Sequence, residues 1–231
     1  MEGNLGQAPA KAPAGGLEIG KEIVPDPVGA GNAIYLDGET GDDNKTGESP
    51  EQAVMTFDKA KELAAANPAI DTIFVTGRVL LDTSDISLSG TKAILKRGPN
   101  YLGCLLLIKP DAEVNLTNIT IDGGALDSAP AEDCLIDCRG TLNILDGAIL
   151  QNNNPTEYPG GAVFGKRAII SMKGGIIKNN YAPRGGGIYL ETNSVLHMIG
   201  GSINDNSCDD FGGGYIFYKL YRSNVWWNSF R

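Results

Sequence analysis

Histidine, tryptophan and basic residues are scarce in this chain of 231 residues, which has one histidine, His197, and two tryptophans. Lysine and arginine number 19 against 28 acidic residues, so the formal net charge is −9. Because acidic surfaces are repelled by phosphate backbones, the charge balance argues against nucleic-acid binding. His197 stands in the alternating run LHM. We expect an outward-facing strand residue there and not a catalyst.

Long apolar runs are also missing. No stretch approaches the roughly 20 consecutive apolar residues of a membrane-spanning helix, so the sequence predicts no membrane span. Residues 1–16, MEGNLGQAPAKAPAGG, contain neither the basic n-region nor the apolar h-region of a signal peptide.

The four cysteines are Cys104, Cys134, Cys138 and Cys208, and they lack the C-x-x-C spacing of zinc sites. Cys104 and Cys134 occupy equivalent positions of two neighbouring repeats. Strands in such repeats lie about 4.8 Å apart, so a disulfide between the repeats is geometrically conceivable. The simpler interpretation is a column of small buried side chains. The sequence leaves the disulfide state of all four cysteines open.

A repeated segment occupies the middle of the chain. Its copies are VNLTNITIDGG, LNILDGAILQN, ISMKGGIIKNN and LHMIGGSINDN, which begin at Val114, Leu142, Ile170 and Leu196, at spacings of 28, 28 and 26 residues. This alignment predicts two stacked columns, one of Ile121, Ile149, Ile177 and Ile203 and one of Asn152, Asn180 and Asn206. Short apolar alternations broken by glycine and asparagine at this period are typical of a β-solenoid.

A second motif recurs once in each repeat. Its copies are CLID from Cys134, GAVF from Gly161, GGIY from Gly186 and GGYI from Gly213. Two or three short strands in every turn of about 25–28 residues predict an all-β fold, a parallel β-helix. An earlier turn aligns Ile86 with Val114, and the β-helix domain is placed at residues 33–217.

The segments on either side of the repeats differ in composition. Residues 1–32 are rich in alanine, proline and glycine, which predicts a flexible lead-in. The sequence SPEQ at 49–52 has the form of a capping box and predicts a helix over about 51–66 that caps the solenoid. Residues 218–231, YKLYRSNVWWNSFR, contain no glycine and no acid and are interpreted as a C-terminal cap or a truncated end.

Two family resemblances follow from these motifs. The glycine motifs GGAV, GGGI and GGGY, each preceded by I-x-x-N, resemble the chlamydial polymorphic outer-membrane protein repeat, with isoleucine where that family has phenylalanine. The segment IYLDGETGDDNKTGESPEQAVMTFDKAKELA is similar to the start of many secreted bacterial β-helix proteins of the pectin-lyase-like superfamily. The resemblance covers about residues 33–217 and implies a right-handed parallel β-helix, extracellular or on the cell surface. We therefore expect that the natural start of the protein was removed or lies elsewhere.

The first functional hypothesis is an adhesin-like scaffold that binds a polysaccharide or a host or bacterial surface protein. Alternation directs Phe164 and Tyr189 outward in adjacent turns. The aromatic residues Tyr158, Tyr181 and Phe211 lie just before the glycine turns. Aromatic faces beside polar groups suit sugar rings or a protein surface.

The alternative is a polysaccharide lyase or glycoside hydrolase that acts on an acidic polysaccharide. Such an enzyme needs a lysine or arginine base, or a pair of carboxylates. Asp137, Arg139 and Lys166 are the nearest approach to a catalytic cluster, with Arg167 beside them. No dense set of carboxylates recurs on successive turns, which favours the binding scaffold.

A calcium site is a further hypothesis, because the loop DGETGDDNKTG carries Asp37, Asp42 and Asp43 among five oxygen-bearing residues. The loop lacks the twelve-residue spacing and closing glutamate of an EF-hand, so a plain polar turn is the other interpretation. The sequence by itself requires no cofactor.

Overall fold

The computed structural model describes residues 32–82, 84–125, 131–191, 193–210 and 212–217. Apart from residue 32, the predicted lead-in lies outside the described residues, as do the predicted tail, 218–231, and Phe211. The described chain is mostly β-strand and winds into a parallel β-solenoid of about five turns. The predicted all-β solenoid is therefore confirmed.

Three parallel sheets run along the solenoid, and each complete turn contributes one strand to each sheet. Sheet A contains Ala33–Asp37, Thr72–Gly77, Ile94–Arg97, Ile119–Asp122, Ala148–Gln151, Ile176–Lys178 and Ser202–Asn204. Sheet B contains Val79–Leu81, Leu106–Ile108, Ile136–Cys138, Val163–Gly165, Ile188–Leu190 and Tyr215–Phe217. Sheet C contains Ser84–Ile86, Glu113–Leu116, Thr141–Ile144, Ile169–Met172 and Val195–Met198. Tyr181–Ala182 and Ser207–Cys208 form a short parallel pair between sheets A and B.

The register of sheet B agrees with the prediction. Ile136 pairs with Val163, Val163 with Ile188, and Ile188 with Tyr215. These pairs follow the CLID, GAVF, GGIY and GGYI motifs residue by residue. Ile136, Val163 and Ile188 are fully buried. The glycine-containing motif therefore marks sheet B correctly.

The core column of sheet A differs from the prediction at one position. Ile121 pairs with Leu150, Leu150 with Ile177, and Ile177 with Ile203. Leu150 is fully buried, whereas Ile149 is half-buried and faces outward. The predicted column with Ile149 was therefore wrong by one residue in that turn.

An extra corner residue explains this shift. The chain takes five residues from Leu116 to Ile121, but six from the equivalent Ile144 to Leu150. The first turn was also misaligned, because Ile86 pairs with Leu116 and not with Val114. A one-residue slip in a strand would move every side chain to the opposite face. An extra residue is therefore accommodated in the corner, and the strand keeps its register.

Two adjacent polar positions stand where the alignment predicts a single asparagine column: one turns the backbone, and the next stacks between turns. The first turns the chain with a left-handed backbone at Asn152, Asn179 and Asp205, where φ is 56°, 54° and 54°. The second position stacks as a ladder of Asn153, Asn180 and Asn206. Asn152 was therefore assigned one residue too early, because turning and stacking fall on consecutive residues.

In the ladder, side-chain oxygens accept hydrogen bonds from backbone N–H groups of the preceding turn, at the corner where sheet A ends. Asn153 N–H donates to Asn180 Oδ1 at 3.1 Å, and Asn180 N–H donates to Asn206 Oδ1 at 3.0 Å. The Asn180 Nδ2 donates to Leu150 O at 3.1 Å. Asn180 is only 1% exposed, so these bonds satisfy groups that water does not reach.

The N-terminal helix is shorter than predicted and comprises Phe57–Ala66. The Thr56 hydroxyl accepts a hydrogen bond from Lys59 N–H at 3.2 Å, whereas Ser49 makes no capping bond. Val54 N–H donates to Tyr35 O at 3.0 Å, so the preceding residues pair with the first strand instead of continuing a helix. The helix buries Phe57, Ala60 and Ala64 and packs against Ala33–Asp37.

Among the described residues, no helix has the length and apolar character needed to cross a lipid bilayer.

Ile177→Asp is expected to prevent folding. Ile177 is fully buried, and an unpaired buried carboxylate costs several kcal/mol, about as much as the whole stability of a domain. The adjacent Ile176 faces outward and is half-buried, so Ile176→Asp should lower the melting temperature by only a few degrees. Circular dichroism melts of both variants measure the difference. An Ile177→Asp protein that melts close to the wild type would contradict the register.

Asn180→Ala is expected to lower the free energy of unfolding by about 1–3 kcal/mol, because it removes the Oδ1 acceptor of the buried Asn153 N–H and the bond from Nδ2 to Leu150 O. Asn204 is exposed, and Asn204→Ala should change that energy by less than about 0.5 kcal/mol. Urea denaturation gives both values. Equal losses in the two variants would mean that the ladder does not hold the corner.

Candidate binding site

The outward side of sheet B brings Asp137, Phe164 and Tyr189 into one column. Asp137 pairs with Phe164, and Phe164 pairs with Tyr189. The two aromatic rings stack with their centroids 5.9 Å apart and their planes inclined by 6°. Parallel strands about 4.8 Å apart naturally hold neighbouring rings in this offset-stacked arrangement. The two predicted binding aromatics therefore form a single stacked pair.

The two rings differ in exposure. Phe164 is half-buried, whereas Tyr189 is only 3% exposed. The guanidinium carbon of Arg184 lies 5.6 Å from the centroid of the Tyr189 ring, a cation–π contact. Tyr189 was predicted as an open binding residue, but its ring is covered. Phe164 is the accessible member of the pair.

Two ion pairs lie on the same outward side of sheet B as these rings, and each contains one of the predicted cations. Arg139 Nη2 lies 2.8 Å from Asp137 Oδ2, and Lys166 Nζ lies 3.1 Å from Glu191 Oε2. The hydrogen bonds and the charge of Asp137 raise the pKa of Arg139 above its ordinary value. The Arg139 side chain is 47% exposed and that of Lys166 is 52% exposed. Both side chains are therefore within reach of a ligand.

A groove of about 430 Å³ lies beside these pairs, at the corner where sheet B passes into sheet C. It crosses three successive turns, and its lining includes Asp111, Arg139, Thr141, Lys166, Arg167 and Ile169. Three cations and one acid meet here in a chain whose net charge is −9. Ile169 adds an apolar surface that is 47% exposed. The groove can therefore hold an anionic group next to an apolar face.

Sequence reasoning found Arg139, Lys166 and Arg167 but missed the other walls of the groove. Asp111 lies in the equivalent corner one turn before Arg139, and Ile169 follows Lys166 and Arg167 in their own turn. The usable signal was the position of Asp111 three residues after a sheet B strand, in the corner that Arg139 and Lys166 begin in the next two turns. Stacking of equivalent corners brings these three side chains together.

The remaining predicted aromatics lie away from the groove lining. Tyr158 is 56% exposed in the loop that leads from sheet A to sheet B. The Tyr181 hydroxyl donates to Asp209 Oδ2 at 2.6 Å, and this hydrogen bond raises the pKa of Tyr181. Tyr158, Tyr181 and Phe164 are therefore all outside the groove lining.

The predicted catalytic residues are engaged with one another. Asp137 has a side chain only 13% exposed and is bound by Arg139, which keeps its own proton. Lys166 is paired with Glu191. His197 is exposed on sheet C and pairs in register with Ser171, as expected for an outward strand residue.

The three carboxylates considered for calcium bind donors of the chain itself. Asp43 accepts from Met55 N–H at 2.8 Å and from Thr56 N–H and Oγ1 at 2.9 and 2.7 Å, so it joins the loop to the helix start. Asp37 and Asp42 accept similar bonds from nearby loop residues. In the part of the chain that the structure describes, no group of three or more histidine, cysteine or acidic side chains could hold a metal ion.

The free energy of unfolding is expected to fall below about pH 4. Burial alone raises the pKa of Asp43, but the hydrogen bonds from Thr56 and Met55 outweigh it and hold that pKa below the ordinary 3.8. A carboxyl whose pKa is lower in the folded state stabilises the protein above its unfolded pKa. That stability is lost as the pH falls through the folded pKa. Urea denaturation between pH 6 and pH 2.5 measures the effect.

Asp43→Ala should reduce stability at pH 6 by about 1–3 kcal/mol and flatten the pH dependence. Glu157 is exposed, so Glu157→Ala serves as a control that should keep the wild-type profile. If Asp43→Ala and the wild type lose stability in parallel on acidification, Asp43 is not the group responsible.

Comparison with known proteins finds no match among protein-family models, curated proteins or solved structures. The resemblances to the pectin-lyase-like superfamily and to the chlamydial repeat therefore rest on the sequence motifs alone. The property that the structure establishes is a parallel β-solenoid with a cation-lined groove on its flank.

Proposed function

We propose that this protein is a secreted or cell-surface β-helix that acts as an adhesin-like scaffold and binds a polysaccharide or a surface protein. The observation that carries the proposal is the groove with Arg139, Lys166 and Arg167, together with the half-buried ring of Phe164 on the strand that precedes Lys166. A rigid stack of turns holds such groups at fixed spacing, so binding costs little conformational entropy.

The proposal includes membership of the right-handed, pectin-lyase-like class of β-helices. The GGAV, GGGI and GGGY motifs support it, and parallel strand connections are right-handed in about 98% of cases. The helix Phe57–Ala66 acts as the N-terminal cap. Its contact with the first strand of sheet A supports this role, because an uncovered strand edge invites association with other chains.

The groove favours a ligand with carboxylate or sulfate groups. Arg167 is exposed, and Lys166 is held in a surface ion pair worth only about 0–1 kcal/mol, so an anionic ligand can share these two cations at little cost. Arg139 binds the largely buried carboxylate of Asp137, but its own side chain is 47% exposed and lines the groove. The exposed face of Ile169 lies among the cations and offers a surface for the apolar side of a sugar ring. An acidic polysaccharide or an acidic protein segment satisfies both features.

A lyase or hydrolase acting on an acidic polysaccharide remains the second candidate, because Lys166 lies in the same groove. Arg139 is unsuited to act as a base while Asp137 holds its proton in place. Lys166 would first have to leave Glu191. Release of unsaturated products that absorb in the near ultraviolet would distinguish this enzyme from a binding protein.

Titration calorimetry with polygalacturonate and alginate at low salt tests the proposal, with dextran as the neutral polysaccharide. Arg167→Asn removes a groove cation and keeps a residue that tolerates the positive φ of 54°. It is expected to weaken binding about tenfold, equivalent to the loss of about 1.4 kcal/mol. Lys92 is exposed and outside the groove lining, so Lys92→Asn should change affinity less than about twofold although the charge change is identical.

Equal weakening by Arg167→Asn and Lys92→Asn would indicate attraction by net charge alone. The absence of binding to acidic polysaccharides, neutral polysaccharides and an array of surface proteins would contradict the proposal.

A further inference from the structure

Cys104 and Cys134 lie in neighbouring turns, where the chain enters sheet B. Each cysteine stands two residues before a member of the Leu106–Ile136 pair. Leu105 N–H donates to Leu135 O at 3.1 Å, which fixes the two segments side by side. Adjacent parallel strands lie about 4.8 Å apart, within the Cα separation of about 4.4–6.8 Å that a disulfide spans.

The Cys104 thiol reaches towards the next turn. Its Sγ lies 2.9 Å from Leu106 O and 3.7 Å from Leu135 O, and it accepts a hydrogen bond from Asp137 N–H at 3.2 Å. Asp137 belongs to the turn of Cys134, so the Cys104 thiol already contacts that turn. Cys104 and Cys134 are 2% and 0% exposed, respectively. Both thiols are therefore buried at equivalent positions of neighbouring turns.

The buried side chain of Arg97 braces both segments. Its guanidinium donates to Gly103 O, directly before Cys104, and to Asp133 O at 3.3 Å, directly before Cys134. Arg97 is 4% exposed and also donates to Asn153 Oδ1 at 3.1 Å, so it is fixed in place. This contact holds the backbones of the two cysteines in matching positions.

The other two cysteines have different surroundings. The Cys138 Sγ lies 3.5 Å from Gly140 O, and burial raises the pKa of Cys138 to about 12. Cys208 is half-buried in a short strand, where it pairs in register with Ala182. Cys138 pairs in register with Ile108 and Gly165, so neither Cys138 nor Cys208 stands opposite another cysteine in its strand pairs. Among the described turns, only Cys104 and Cys134 occupy equivalent positions.

We propose that Cys104 and Cys134 form a disulfide between successive turns when the chain folds in an oxidising environment. A Cys thiolate attacks a small-molecule disulfide such as oxidised glutathione and forms a mixed disulfide. The second Cys thiolate then displaces glutathione. Two S–H bonds are lost and one S–S bond forms, while the two electrons and two protons convert oxidised glutathione into two molecules of its thiol. This cross-link is independent of the proposed ligand binding.

The cross-link stabilises the solenoid chiefly by restricting the unfolded chain. It closes the loop from Cys104 to Cys134, which contains three strands, one from each sheet of the solenoid. Because both sulfur atoms are buried in the folded protein, the bond must form during folding and not on the finished surface.

Refolding of the full-length chain in a mixture of oxidised and reduced glutathione tests the proposal. Thiols are then titrated in denaturant, and the protein is digested without reduction for peptide mass spectrometry. The expected result is reaction of Cys138 and Cys208 only, a mass lower by two hydrogen atoms, and one linked peptide that contains Cys104 and Cys134. Reduction should lower the melting temperature by several degrees.

Matched variants separate this bond from other redox effects. Cys138→Ser should keep the redox-dependent melting shift, and the double variant Cys104→Ala/Cys134→Ala should lose it. If a variant fails to fold, the thiol titration of the wild-type protein still tests the proposal. Four reactive thiols after oxidative refolding, or a linked peptide that instead contains Cys138 or Cys208, would overturn the proposal.

Discussion

The backbone register between successive turns is the constraint on which the rest of this structure depends. Every strand is hydrogen-bonded to its equivalent in a neighbouring turn, so the inward residue of one turn dictates the inward residue of the next. Leu150 lies between Ile121 and Ile177 for this reason, although Ile149 has equal apolar character. The corners accommodate differences in length, and the columns of the core remain continuous.

The corner between sheets A and B combines close backbone stacking with buried polar groups. A Cβ atom on Gly161 would lie 1.9 Å from Gly186 O, so glycine is required there to let adjacent turns approach. Asn180 and the buried guanidinium of Arg97 satisfy the carbonyl and amide groups that strand pairing leaves free. Burial lowers the pKa of Arg97, yet the surrounding carbonyl oxygens remain good acceptors for its donors.

The same stacking turns unrelated corner residues into a shared surface. Asp111, Arg139 and Lys166 are far apart in sequence but border one groove, because each follows a sheet B strand. The repeated isoleucine, glycine and asparagine positions are explained by packing and turning. The proposed ligand binding therefore falls to the positions that vary between turns, above all Arg139, Lys166 and Arg167.

The sequence by itself determined the solenoid, the length of its turns and the register of sheet B, because alternation and glycine motifs express local requirements. It also brought Asp137, Arg139 and Lys166 into one candidate site. Only the tertiary structure decided between Ile149 and Leu150, since both fit a pattern that carries no information on corner length. Arg184 packs over the Tyr189 ring, and this contact cannot be read from alternation. The groove likewise forms from residues of three turns that are distant in sequence. Alternation fixes the direction of a side chain, but its neighbours in other turns decide whether that side chain is accessible.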